Sequence, residues 1–253
     1  MTLADQLDHT RRTRTAIEEL IADPAQLGPD FQPIFRLGSD AAAVAGAPVG
    51  WKATGRGKPG SAVGDTLSLL SGAQSLGLVE RLDWAFRCHA FEVAMRDGLT
   101  GELHLTPEPE TFGSACPPRL AVAWGRGRRG LQVVAELHAD AFADLDVLHK
   151  AVDEMRSWGW RLAVADQSTD PSAHRRVSAE LERLHPEYVQ VDVSRPARAS
   201  DPVVRSWLAA ATGAGASVMA VGVDSEAARA TAQQLGASYG RGSLLGEPAD
   251  LPH

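Results

Sequence analysis

From Glu102 to Leu245 the chain repeats one rhythm, a short apolar run followed by a stretch with helical spacing. The runs are ELHLT (Glu102 to Thr106), LQVVAEL (Leu131 to Leu137), RLAVADQ (Arg161 to Gln167), YVQVDVS (Tyr188 to Ser194), SVMAVGV (Ser217 to Val223) and a last one over Tyr239 to Leu245. Continuous apolar runs of this length suit strands covered on both faces. Strands alternating with helices build a parallel sheet. No Gly-rich dinucleotide turn follows an early strand, which favours a closed barrel over an open sheet.

The helices expected between these strands cover Leu145 to Trp158, Ala173 to Leu184, Pro202 to Ala211 and Ser225 to Leu235. Upstream, Leu3 to Ala22 reads as a helix with Ile17, Leu20 and Ile21 on one face, ended by Pro24. FQPIFRL (Phe31 to Leu37) reads as a strand that Gly38-Ser39-Asp40 turns back into AAVAGAPVGWKAT, giving an antiparallel pair. Thr66 to Leu76 and Val79 to Met95 read as two further helices. The prolines 107, 109, 117 and 118 rule out a long regular helix over Pro107 to Gly130. The arginine-rich run Gly125 to Gly130 reads as a solvated loop, and the tryptophans as packing residues. The domain organisation expected is an N-terminal helix and lead-in over 1–30 and one barrel domain over 31–253.

Composition narrows the function. A chain of 253 residues with 44% hydrophobic and 23% charged residues can build one ordinary core. A net charge of -7 gives no electrostatic reason to expect nucleic acid or an anionic membrane as partner. Cys88 and Cys116 form no metal motif, and without a secretion signal a disulfide is not expected. No stretch approaches the roughly 20 apolar residues of a membrane span, and the polar start is no signal peptide, so a cytoplasmic location is expected.

The strand ends are the informative places. Barrel enzymes put catalytic groups there, yet at these ends only Glu136 and Asp166 stand as plain carboxylates, and VGWKAT (Val49 to Thr54) carries Lys52.

In order and spacing these segments resemble the EAL family of cyclic di-GMP phosphodiesterases. FQPI is similar to the family's opening strand. VGWKATGR stands at its Glu-Ala-Leu signature with the following arginine, LHLTP at its Asn-Leu-Ser strand and VVAELH at its Glu-Ile-Thr strand. LAVADQSTD stands at the Asp-Asp-Phe-Gly turn, VQVD at Lys-Ile-Asp, AVGVDS at Ala-Glu-Gly-Val-Glu, and YGRGSLLGEP at the closing Gln-Gly-Tyr-Leu-Phe-Gly-x-Pro. The resemblance implies a modified TIM barrel whose first strand runs against the others. It implies hydrolysis of cyclic di-GMP by two divalent metals held mostly by carboxylates.

Position by position, this chain departs from that machinery. The signature Glu is Lys52, the ligand Asn is His104, and Glu136 remains. The paired Asp residues become Ala165 and Asp166. The lysine near the attacking water is Gln190, the late glutamates are Val221 and Asp224, and the closing Gln is Arg241. The Phe-Gly-Thr-Gly loop becomes Gln167 to Asp170, without the glycines that permit its backbone conformation. Lys52 between Glu136 and Asp166 would neutralise buried charge without an ion. No catalytic residue, metal or cofactor is therefore expected, and His104 is expected to be hydrogen-bonded rather than metal-bound.

The function expected is a degenerate EAL-like barrel that has lost its chemistry and regulates signalling by binding a protein partner. A homodimer is a further expectation drawn from the family, with no interface named. The first alternative is a non-hydrolysing receptor that contacts a cyclic dinucleotide through Gln32, Arg56 and Arg241, set against Arg56 simply pairing with Glu136 or Asp166. The second is an enzyme of different chemistry built on a Lys52 with a shifted pKa.

Overall fold

The computed structural model describes residues 3–38, 46–58, 60–166, 171–195 and 200–252. Eight strands close into a barrel in sequence order. They are β1 (Gly28–Arg36), β2 (Gly50–Arg56), β3 (Glu102–Leu105), β4 (Gln132–Leu137), β5 (Arg161–Asp166), β6 (Tyr188–Asp192), β7 (Ser217–Val221) and β8 (Tyr239–Arg241). β1 is antiparallel to both β2 and β8, and every other neighbouring pair is parallel. The reversed first strand implied by the family resemblance is present. β1 begins at Gly28, earlier than the apolar run suggested. A single bridge ties it to the tail, where Phe31 N donates to Ala249 O at 2.7 Å. The Ser39-Asp40 part of the expected turn lies outside the described residues.

Among the described residues the helices are α1 (Leu3–Ala22), α2 (Thr66–Leu76), α3 (Val79–Arg96), α4 (Ala121–Gly130), α5 (Leu145–Ser157), α6 (Pro171–Leu184), α7 (Pro202–Gly213) and α8 (Glu226–Gln234). Their starts follow ordinary capping chemistry. Asp65, Asp144, Asp201 and Ser225 each accept from a backbone N–H in the first turn of α2, α5, α7 and α8. Gly77, left-handed at φ 65°, ends α2.

One expectation fails between β3 and β4. The prolines of this connection confine its first part to two 3-10 turns, Pro109–Thr111 and Pro118–Leu120, but α4 then runs for ten residues. Gly125 to Gly130 is therefore helical rather than a solvated loop. Packing overrides the glycines here. Gly127 is buried against Phe91, so closely that a Cβ would stand 2.3 Å from the ring, and Arg128 lies over Trp124 and Trp158. Trp84, Trp124, Trp158 and Trp160 pack edge to face in this layer between barrel and helices.

The core has three parts. The largest joins the outward faces of the strands to the helices. A second lies beneath α1, α2 and α3 and includes Ile17, Leu20 and Ile21. The third fills the barrel itself with Ile34, Val134, Ala163, Tyr188 and Met219. Alternation along each strand then decides what else points inward. Trp51 joins the outer layer, whereas Lys52 faces the interior.

Candidate functional site

A ladder of polar side chains runs up the barrel interior, one from nearly every strand. At its lower end Glu102 of β3 pairs with Arg161 of β5 and accepts from the Tyr188 hydroxyl of β6 at 2.8 Å. Two residues further up β3, His104 stands with Nε2 3.4 Å from Glu102 and Nδ1 3.1 Å from Glu136. Glu136 of β4 is fully buried and sits at the centre of the upper layer. Its Oε1 accepts from Gln190 Nε2 at 2.6 Å. Its Oε2 is 2.7 Å from Lys52 Nζ and 3.7 Å from Arg241. Lys52 Nζ also donates to Thr106 Oγ1.

These contacts follow from register. Lys52 pairs with Gln32 on one side and with His104 on the other, which puts β1, β2 and β3 at one height. Arg241 pairs with Val221, beside β6, whose Gln190 lies next to Ala165. Four strands thus converge on one carboxylate. Burial alone would push the Glu136 carboxyl up, but the charges of Lys52 and Arg241 and the contact with His104 outweigh it and hold the group well below its usual range. Glu102 shows the same balance, with burial opposed by His104, Tyr188 and Arg161 and the net shift downward. Lys52 moves the other way: burial disfavours its charge, and Arg241 adds to that against the pull of Glu136.

Several sequence expectations meet this arrangement directly. Lys52, His104, Glu136 and Gln190 do come together, and the Lys52–Glu136 half of the expected bridge is present. The Asp166 side chain and residues 167–170 lie outside the described residues. Ala165 is buried and Val221 half-buried, and neither side chain carries a polar atom. Asp224 stands apart from the cluster: it accepts from the backbone and hydroxyl of Ser243 at 2.7 and 3.1 Å, closing a loop.

Arg56 does not pair with Glu136. It lies four residues beyond Lys52 along β2 and is held by Asp30 of β1 at 2.8 and 2.9 Å. The reading that paired it with Glu136 is thereby corrected, because Lys52 and Arg241 already occupy that carboxylate; the other candidate partner, the Asp166 side chain, lies outside the described residues. Gln32 donates to Gly246 O at 3.2 Å, and its Oε1 lies 3.5 Å from Arg241.

Beside the ladder opens a cavity of about 360 Å³ between β2, α2, α3 and the segments that follow β3 and β4. Leu69, Leu70, Val79, Leu82 and Phe86 form its apolar wall, and Lys52 reaches it from the barrel side. Glu108 and His138 also line it, and sequence reasoning overlooked both. The Asp83–Arg87 pair of α3 fixes the connection that carries Glu108: both residues bond Thr111, and Asp83 accepts from Glu108 N at 3.4 Å. Burial and the neighbouring Asp83 push the Glu108 carboxyl up to about 7. Burial and Lys52 push His138 down to about 4. Thr106 and Glu102, the inward neighbours of His104 on its strand, were visible in the alternation; Glu108 and His138 gave no such signal.

No helix among the described residues is long and apolar enough to cross a membrane. No curated protein matches the sequence. The fold has clear counterparts among solved structures. The PaMucR phosphodiesterase in complex with c-di-GMP is 18% identical, with a TM-score of 0.70 over 89% of this chain and 97% of that one. The Xanthomonas citri FimX EAL domain in complex with c-diGMP is 13% identical, with a TM-score of 0.72 over 98% and 97%. The Pseudomonas aeruginosa FimX EAL domain bound to c-di-GMP is 15% identical, with a TM-score of 0.70 over 94% and 97%. The EAL domain family model matches residues 14–248. With that match spanning nearly its whole length, the chain belongs to the EAL domain family.

Proposed function

We propose that this chain is an EAL barrel that does not hydrolyse cyclic di-GMP and that acts in bacterial signalling as a regulatory, protein-binding module of the cytoplasm. The observation that carries the reading is the ion pair of Lys52 and Glu136 at the barrel mouth, 2.7 Å long. Hard divalent ions such as Mg or Mn require several oxygen ligands. In the layer around Glu136 the described side chains offer an amine, an imidazole, an amide, a guanidinium and that one carboxylate. Both oxygens of that carboxylate already face cations or donors from this chain. Such a donor set does not fit a pair of hard divalent ions, and no hydrolytic step is derived through them. A barrel that keeps its scaffold with this mouth is left with its outer surface and grooves to work through.

The test has two arms. Purified protein is assayed for hydrolysis of cyclic di-GMP with Mg and with Mn; turnover abolished by Glu136→Gln would overturn the reading. The folded protein then serves as bait in extract of its native host, where a stoichiometric protein partner is expected and repeated failure to retain one counts against a binding role.

A second reading, a cyclic dinucleotide receptor without catalysis, is favoured by the neighbours crystallised with c-di-GMP and by the approach of Gln32 to Arg241 at the mouth. Arg56 would first have to leave Asp30. Titration calorimetry with cyclic di-GMP decides it: no heat of binding at about 100 μM removes this reading for practical purposes.

A further inference from the structure

Of the chain's 25 Lys and Arg residues, three are lysines: Lys52, Lys58 and Lys150. A sequence that uses arginine almost everywhere else places a lysine inside the barrel, 7% exposed and paired with Glu136. Arginine is always charged, whereas a lysine can lose its proton and become a nucleophile. The surroundings of Lys52 favour that loss. Two cations, Lys52 and Arg241, share the single carboxylate of Glu136. When Lys52 gives up its charge, Glu136 keeps Arg241 at 3.7 Å and the donors His104 and Gln190. No buried carboxylate is stranded, so the usual penalty for neutralising half of an ion pair is small here.

The amine also has somewhere to act. Lys52 lines the 360 Å³ cavity, whose wall of leucines, Val79 and Phe86 faces it. We infer that Lys52 is a carbonyl-binding amine, which captures a neutral aldehyde or ketone with an apolar body from this cavity as an imine. The Nζ lone pair adds to the carbonyl carbon, a C–N bond forms, and the carbonyl π pair moves to oxygen, which takes up a proton. The nitrogen releases one proton to balance that uptake, the hydroxyl takes a second proton and leaves as water, and loss of the remaining N–H proton gives the C=N bond. The net change is amine plus carbonyl to imine plus water, and no oxidant or metal takes part. Glu108 lines the same cavity with its carboxyl pushed up to about 7 by burial, and is the proton source named here. With Lys52 uncharged and Asp83 offset by Arg87, Asp140 leaves the cavity lining acidic, so a carbonyl compound that carries a carboxylate is disfavoured.

The experiment is reductive trapping on the full chain. The protein is incubated with benzaldehyde and cyanoborohydride, digested, and each lysine's adduct is quantified by mass spectrometry. Lys52 is expected to exceed Lys58 and Lys150 by about tenfold or more. Glyoxylate, an aldehyde with a carboxylate, is expected to show no such preference. Lys52→Arg keeps the cation beside Glu136 and is expected to lose the adduct at this position. Equal labelling of all three lysines, or Lys52 left unmodified while the other two react, overturns the inference on wild-type protein alone. The result is separate from the proposed function, because trapping needs neither a protein partner nor a cyclic dinucleotide.

Discussion

Replacing Lys52 with methionine tests the ion pair on which the site is built. The substitution keeps an unbranched chain of similar length and removes the ammonium. At an effective dielectric of about 20, charges 2.7 Å apart attract by about 6 kcal/mol, and those 3.7 Å apart by about 4.5 kcal/mol. The variant loses the first attraction and keeps the second, from Arg241. It also escapes the cost of burying the lysine, several kcal/mol, and burial together with Arg241 outweighs the pull of Glu136 on the ammonium. The single variant is therefore expected to melt no lower than wild type, and the lost attraction shows in its coupling to Glu136. The assay is thermal and urea unfolding at pH 7, followed by far-UV circular dichroism, within a double-mutant cycle that adds Glu136→Gln. Once the carboxylate is neutral the missing lysine matters less, so the double variant should recover at least about 1.5 kcal/mol relative to additivity. A Lys52→Met variant that melts more than about 5 °C below wild type, or a cycle that is additive within about 0.5 kcal/mol, would refute the argument.

Three other outcomes follow from the same structure. Glu102→Gln weakens the contacts to Arg161 and His104 inside the barrel and should cost about 2–4 kcal/mol in chemical denaturation, whereas Arg56→Ala, which breaks a half-exposed pair with Asp30, should cost under about 1 kcal/mol. Gly127→Ala should destabilise by about 1–3 kcal/mol in melts although alanine is the better helix former, because the new Cβ meets Phe91 at 2.3 Å. Glu108 has a folded pKa of about 7, above its ordinary 4.5, so its contribution to stability is full below about pH 4.5 and is lost as pH rises through 7. Glu108→Gln should therefore gain on wild type between pH 5 and pH 8 by about 1–2 kcal/mol, after discounting for solvent, and melts at the two pH values measure the difference.

Much of the architecture was legible because its signals are local. Helix α1 and helix α2 end where Pro24 and Gly77 end them, and the apolar runs are strands because both of their faces are covered. Alternation alone sent Trp51 outward and Lys52 inward. The misreading of Gly125 to Gly130 has an equally physical cause. Three glycines argue against a helix on propensity, but Gly127 is small because Phe91 needs its space, and the arginines stack on tryptophans from elsewhere in the chain. No local rule carries that information. The pairing of Arg56 with Glu136 failed for a related reason: its residue type was right, but it stands four residues beyond Lys52 on β2, where its side chain reaches Asp30.

The order of strands and helices, the inward face of each strand and the exchange of the family's Glu, Asn and Lys for Lys52, His104 and Gln190 are written in the sequence, since each depends on residue type and period. Which of those side chains meet is set by the register and closure of the barrel. Charge interactions fall off with distance, and distance across a barrel is fixed only when eight strands have chosen their heights. Closure alone made Glu136 the shared partner of Lys52 and Arg241, left Asp224 to a loop, and opened a cavity beside the lysine.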